Sequence, residues 1–450
     1  MRTLRSSARL AAAAFALVLA AAHGDASAQR KRPPPPPPPV ADSNLTLVST
    51  DATGRPVDGA VCGVSADGGK VLFQTRLGNF QAEQLWIKDF NGNTSTRIVV
   101  NSAATVRLAC LGMTPDARAA VYVDGAPNGV ADFLGREGVE PAILVRDLLS
   151  GAVTRITPPL STLPGASRFV FAGISDDAQR VAFIAEPTFS CSLYNCVATG
   201  PTRMFVRDLS TGELVNLDDR VRLTAGQGQV DGNALLSPDG RSLAFSTREP
   251  YPELGDLNTN RSDVFVLDLA SRAVRLVSAD TQGQQLAILG FAATAGGPTY
   301  GVQSFLGNST RVAFRSAADL NVGPANVYAK DLVTGALVPM LPAGVSPSFP
   351  NVNVKGVRAD LSFSDDGQKV AFVQRSNRNP SVDVPTVIDL RTGARLNAAT
   401  LTNGTVGNGP ISLGMLLSRD GRATAFDNNS TNLVAGATTS VVRTYRRLLP

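Results

Sequence analysis

From residue 45 onward one pattern of apolar and polar positions recurs seven times. It consists of a short apolar run, a tight turn, an alternating strand ending in Phe or Tyr, a variable loop, a strand ending in Asp-Leu, and a Ser-Gly or Thr-Gly turn. The first turns are Ser65-Ala66-Asp67-Gly68, Thr114-Pro115-Asp116-Ala117, Ser175-Asp176-Asp177-Ala178, Ser237-Pro238-Asp239-Gly240, the degenerate Leu306-Gly307-Asn308-Ser309, Ser364-Asp365-Asp366-Gly367 and Ser418-Arg419-Asp420-Gly421. Strands such as Val71-Leu72-Phe73, Val181-Ala182-Phe183, Leu243-Ala244-Phe245 and Val370-Ala371-Phe372 follow them. Asp-Gly and Thr-Gly supply the positive-φ position of a tight hairpin, so each repeat reads as a four-stranded antiparallel meander. Units of about 50–70 residues of this kind are propeller blades in sequence. The fold class is therefore all-β, one seven-bladed β-propeller of four-stranded antiparallel blades over residues 45–450.

The last repeat runs out of chain after Val441-Val442, while Leu45-Thr46-Leu47-Val48-Ser49 stands before the first turn as an orphan strand. Joining the two ends would bury two sheet edges. Leu45 to Ser49 is expected to be the outer strand of the last blade, closing the ring against Ser440 to Tyr445.

The Ser-x-Asp-Gly turn, the Val-Ala-Phe strand and the Asp-Leu-x-Thr-Gly turn together resemble the PD40 family of WD40-like repeats, found in the propeller domain of TolB. The likeness covers residues 45–450 and concerns architecture more than activity. The N-terminal α/β domain of TolB has no counterpart before the first repeat, so its partners are not carried over.

Ahead of the repeats, Arg2, Arg5 and Arg9 precede an apolar run from Leu10 to Ala22, and Ala26-Ser27-Ala28 offers a small-residue exit. That order is a secretory signal peptide over residues 1–28, cleaved after Ala28. No later stretch approaches the roughly 20 apolar residues of a membrane-spanning helix. Residues 29–44 hold Arg30-Lys31-Arg32 and seven prolines, Pro33 to Pro39. They read as a stiff polyproline tether, at about 3.1 Å per proline. The expected location is periplasmic or secreted.

Charge and chemistry narrow the function. The 42 basic and 37 acidic residues become 39 and 36 once Arg2, Arg5, Arg9 and Asp25 leave with the leader, and Arg30-Lys31-Arg32 accounts for the difference. A neutral folded part has no basic face for nucleic acid. The single histidine, His23, lies in the leader, which removes Ser-His-Asp and Cys-His nucleophiles, His-ligated metals and any His base from the mature chain. Of the four cysteines, Cys191 and Cys196 flank a spacing that closes a small loop disulfide. Cys62 and Cys110 either pair with each other or stay as buried thiols.

In a propeller the first-to-second and third-to-fourth turns share one face, here tight throughout. The long segments 125–141, 187–203, 249–262, 278–303, 374–384 and 427–438 belong to the other face, where binding is expected. The leading expectation is a monomeric, non-enzymatic binding or scaffolding propeller of the cell envelope, engaging a protein or glycan. Arg203, Glu249, Tyr251 and Glu253 are the candidate binding residues. An enzyme acting on polysaccharide or another envelope polymer through carboxylates or tyrosine is the alternative, with Glu249, Glu253 and Asp256 grouped around Tyr251. A lectin is a third reading, weakened by the single tryptophan, Trp86. Asp256, Asn258, Asn260 and Asp263 place oxygens at alternate positions and then at the eighth, as calcium loops do, although Arg261 stands where such loops turn on glycine. Asx-rich turns also arise because Asn and Asp satisfy local amides.

Overall fold

The computed structural model describes residues 42–75, 83–100, 107–126, 142–191, 196–198, 200–226, 229–231, 234–256, 262–283, 285, 300–316, 325–342, 361–375, 383–409, 414–435 and 439–450. The leader, most of the tether, and Asn258 and Asn260 of the calcium expectation lie outside them.

Six of the seven first turns close through their own side chains. The Ser65 hydroxyl donates to Asp67 Oδ1 at 2.6 Å, Asp67 Oδ1 accepts the Gly69 amide at 2.8 Å, and Ser65 Oγ accepts the Lys70 amide at 2.8 Å. The hydroxyl–carboxylate bond recurs in Thr114–Asp116, Ser175–Asp177, Ser237–Asp239, Ser364–Asp366 and Ser418–Asp420. Ala117 and Ala178 hold φ of 55° and 56° where four other turns place glycine. That left-handed conformation costs a non-glycine residue roughly 1–2 kcal/mol, which the side-chain bonds offset. The second turn is capped by its aspartate: Asp147 Oδ1 accepts the Leu149 and Ser150 amides at 3.0 and 2.7 Å, and Asp331 and Asp389 act alike. The Leu148, Leu209, Leu332 and Leu390 amides donate to the carbonyls of Arg118, Gln179, Thr310 and Gln368, beside the first turn of the same blade. Both turns of a blade therefore lie side by side, on what is here called the hairpin face.

The strands form seven four-stranded antiparallel sheets. Blades 1 to 7 take as inner strands Ala60–Val64, Arg107–Met113, Ala166–Ile174, Ala234–Leu236, Tyr300–Leu306, Ser362–Phe363 and Met415–Leu417. Blade 7 continues through Ala423–Asn428 and Arg443–Leu448 and ends on Leu45–Leu47 from the other end of the chain. This is the expected ring closure, in a shifted register: Leu45 faces Arg447 and Leu47 faces Tyr445. The strand stops at Leu47 because the Val48 and Ser49 amides both turn to the Thr444 carbonyl, at 2.9 and 3.3 Å. Asp42, buried beside it, accepts the Thr402 amide at 2.8 Å and pairs with Arg447 at 3.7 Å.

Between blades the alternating strands bury aromatic pairs. Phe183 stacks on Phe205 at 5.4 Å, Phe245 on Phe265 at 5.5 Å and Phe426 on Tyr445 at 5.7 Å. Each such side chain contributes about 1.5–3 kcal/mol through burial. Two short hairpins, Phe189–Cys191 with Cys196–Ala198 and Thr224–Gly226 with Gln229–Asp231, were not expected from the repeat. The first places Cys191 directly opposite Cys196; the side chains of both lie outside the described residues. Cys62 and Cys110 form a disulfide between the inner strands of blades 1 and 2, with Cα atoms 6.0 Å apart. Among the described residues no helix is long and apolar enough to cross a membrane.

Candidate functional site

The expected binding residues sit on blades 3 and 4, at the face opposite the hairpins. A one-turn 3-10 helix, Pro252–Leu254, follows the second strand of blade 4 and ends on Gly255 at φ +78°. It folds Tyr251 inward. Tyr251 is 2% exposed, its ring 4.5 Å from that of Phe265, and it belongs to the blade 3–blade 4 core. Its hydroxyl donates to the Arg220 carbonyl at 2.7 Å and accepts the Arg222 amide at 2.8 Å. Burial pushes its pKa up to about 12, with the Glu253 and Glu249 charges adding to the shift. Tyr251 is thus a packing residue rather than an exposed contact. A bulky aromatic outweighs its Pro-Glu-Gly surroundings once an apolar core and two backbone partners are within reach.

What remains exposed above it is an ion pair. Arg222 lies 4.8 Å over the Tyr251 ring, donates to the Pro250 carbonyl at 3.2 Å and pairs with Glu253 at 3.3 Å. Both partners are about half exposed, at 46% and 53%. A pair so solvated adds little to stability and can exchange its partner for a ligand's charge. The structure brings Glu249, Tyr251 and Glu253 together and adds Arg222, which the sequence reading did not single out. Arg203 is set apart: it opens the third strand of blade 3 opposite Ala185 and acts on Asp218, whose pKa burial raises.

The two described residues of the calcium expectation meet through a third side chain. Asp263 and Asp256 are both buried, and the Gln285 amide nitrogen donates to Asp263 Oδ2 at 2.8 Å and to Asp256 Oδ1 at 3.2 Å. Asp263 Oδ1 accepts the Ser278 hydroxyl at 2.7 Å, and Asp256 Oδ2 accepts the Tyr251 amide at 3.1 Å. Every one of these contacts is a donor aimed at a carboxylate, so a cation would have to displace the Gln285 amide. Among the described residues no three His, Cys, Asp or Glu side chains gather as metal ligands.

Comparison with known proteins places the fold and nothing finer. No protein-family model matches the chain, and no curated protein matches it in sequence. The oligogalacturonate lyase of Vibrio parahaemolyticus superposes with a TM-score of 0.53 at 12% identity, over 90% of this chain and 97% of that one. The β-propeller domain of the Trilobed protease from Pyrococcus furiosus gives 0.46 at 10% identity, over 87% and 96%. TolB from Acinetobacter baumannii gives 0.41 at 17% identity over 74% of this chain, which spans 63% of the TolB chain. The lyase shares the propeller fold at an identity that carries no chemistry with it.

At the opposite, hairpin end the first turns bond from blade to blade. The residue after each turn's first position reaches toward the axis: Ala66 N donates to Pro115 O at 2.7 Å, Asp176 N to Pro238 O at 2.7 Å, Gly307 N to Asp365 O at 2.6 Å and Asp365 N to Arg419 O at 2.8 Å. Asp420 N completes the turn from blade 7 to blade 1 by donating to Ala66 O at 3.0 Å. Arg419 of blade 7 grips Asp176 of blade 3 in a bidentate pair and lies 3.8 Å from Asp365 of blade 6. Blades 3 and 7 are not neighbours, so this contact spans the axis. Burial raises the pKa of Asp176 and of Asp365 against the pull of Arg419. The sequence reading treated these positions as hairpin turns only.

Proposed function

We propose that this chain is an exported, non-enzymatic binding or scaffolding propeller of the cell envelope, which engages an envelope protein or glycan through the face opposite its hairpins. One observation carries the reading: the hairpin face is committed to holding the ring. Its turn aspartates cap their own amides, and its axial residues bond from blade to blade and across the axis. The other face carries the long connections and the exposed Arg222–Glu253 pair over Tyr251. Rigid scaffolds place recognition on such connections.

The test is crosslinking in the native envelope. Arg222→Glu is expected to abolish the crosslinked species, while Arg391→Glu, an exposed position in a hairpin turn, is expected to leave it intact. The opposite pattern would put recognition on the hairpin face. Sequencing the exported protein from its N-terminus is expected to begin at Gln29.

A further inference from the structure

The joints between blades are not built alike. Each blade's second-strand aromatic packs toward the preceding blade, and an apolar residue opposite it on the inner strand fills the joint: Val61 faces Phe73, Phe171 faces Phe183 and Met415 faces Phe426. At the joint of blades 1 and 2 that inner-strand place belongs to Cys110, facing Tyr122. Blade 1 answers with Cys62, which stands in the β-bulge between Val61 and Gly63. Their disulfide takes the position that side-chain packing fills elsewhere.

Among the described residues the rest of this joint is partly polar, and no single fully buried cluster runs through it. Its fully buried apolar side chains fall into two groups, Leu72 with Ala120 around Cys62 and Leu85 with Leu108 and Tyr122, which share only the partly buried Ile98 and Cys110. The joint of blades 2 and 3, by contrast, buries Val121, Ile143, Phe171, Phe183 and Phe205 in one continuous cluster. Two polar side chains take part in the joint of blades 1 and 2 beside its apolar groups. Gln74 donates to the Leu108 carbonyl at 2.6 Å and accepts the Cys110 amide at 3.0 Å, and Glu83 accepts the Leu108 amide at 2.9 Å. Hydrogen bonds of this kind contribute less than the core they replace, because water competes for them as soon as the joint parts.

We propose that the Cys62–Cys110 disulfide is a redox-operated fastening of blade 1 to blade 2: a dithiol reductant loosens this joint while the other joints stay packed. Cys62 is 7% exposed and Cys110 is the less buried of the two. A thiolate of the dithiol attacks Cys110 Sγ, the S–S bond breaks, and Cys62 leaves as a thiolate that takes up a proton. The dithiol's second thiol then closes onto the first, releasing Cys110 as a thiol, so two electrons and two protons pass from the dithiol to the protein. At the hairpin end the Ala66 amide still ties blade 1 to the Pro115 carbonyl of blade 2 at 2.7 Å, so a loosened joint opens the ring sideways from the other face.

Amide hydrogen exchange tests this on the full chain carrying Cys191→Ser and Cys196→Ser, so that the blade 3 hairpin cannot respond. With dithiothreitol, amides of Ala60–Val64 and Arg107–Met113 are expected to exchange about tenfold faster or more, with those of Ala166–Ile174 and Ser242–Thr247 unchanged. Cys62→Ser with Cys110→Ser is expected to give the same pattern without reductant. The folded protein under reduction tests the idea even if that variant does not fold. Unchanged exchange at the two inner strands, or an equal rise in all seven blades, would overturn the proposal.

Discussion

Tyr251→Phe separates packing from recognition at the loop face. The substitution removes one oxygen and leaves the ring against Phe265 at 4.5 Å and Phe245 at 6.1 Å. It takes away the bond to the Arg220 carbonyl at 2.7 Å and the one from the Arg222 amide at 2.8 Å. At about 1 kcal/mol for each hydrogen bond, with part of the desolvation penalty of the groups left behind, the loss should be about 2–3 kcal/mol. Tyr251→Ala also empties the ring's place in the core, and the total should reach about 3–5 kcal/mol or more. Urea unfolding followed through Trp86, the only tryptophan and itself 8% exposed, reports both.

The same hydroxyl gives an alkaline signature. Its folded pKa, about 12, stands above the unfolded value of 10.0, so its contribution is complete below pH 10 and is lost as the pH rises toward 12. Tyr251→Phe should therefore flatten part of the alkaline fall in stability; Tyr445, also raised to about 12, retains the remainder. A phenylalanine variant within about 0.5 kcal/mol of the parent, with an unchanged alkaline limb, would refute the packing assignment.

Three further outcomes follow from the fold. Deleting residues 42–49 removes buried Leu45 and Val48 and the closing ladder; the loss should be at least about 4 kcal/mol, seen as a clear fall in thermal midpoint. The turn aspartates should make the protein acid-sensitive: the Ser210 hydroxyl and neighbouring amides hold Asp208 at about 2, and Asp147, Asp268, Asp331 and Asp389 are lowered by the same kind of bonds. Folded values below the unfolded 3.8 mean stability present above that pH and lost as pH falls toward 2, so Asp208→Asn should show a shallower acid limb. Arg419→Gln should cost about 1 kcal/mol by leaving Asp176 and Asp365 without their shared cation, in a partly exposed site. The deficit should shrink as pH falls into the carboxylate range, and Asp176→Asn should relieve it.

How much of this was legible depends on the range of the forces involved. The hairpins were readable because Ser65, Asp67 and Gly68 satisfy one another within a few residues. Even the degenerate turn of blade 5 kept its length, with Gly307, Asn308 and Ser309 all at positive φ. Ring closure was readable from an orphan strand, although the register was not, since Thr444 sets it from the other end of the chain. The burial of Tyr251, a candidate binding residue by sequence, is not legible there because its partners, Arg220 and Arg222, come from a different connection. The Cys62–Cys110 pairing is open in the sequence because two inner strands become neighbours only once the ring forms.

The turn repeat also hides information in its variable position. Ser or Thr and Asp recur in six copies, and Gly in four, because they close a blade's own hairpin. The second residue is unconstrained by the hairpin, and in seven copies it reads Ala66, Pro115, Asp176, Pro238, Gly307, Asp365 and Arg419. Those seven residues converge on the axis, where Pro115 and Pro238 have no amide to pass the chain of hydrogen bonds onward. Arg419 and Asp176 meet there across 243 residues of sequence. In a closed repeat ring, the consensus positions therefore describe what one blade requires, and the variable position next to them describes what the blades do together.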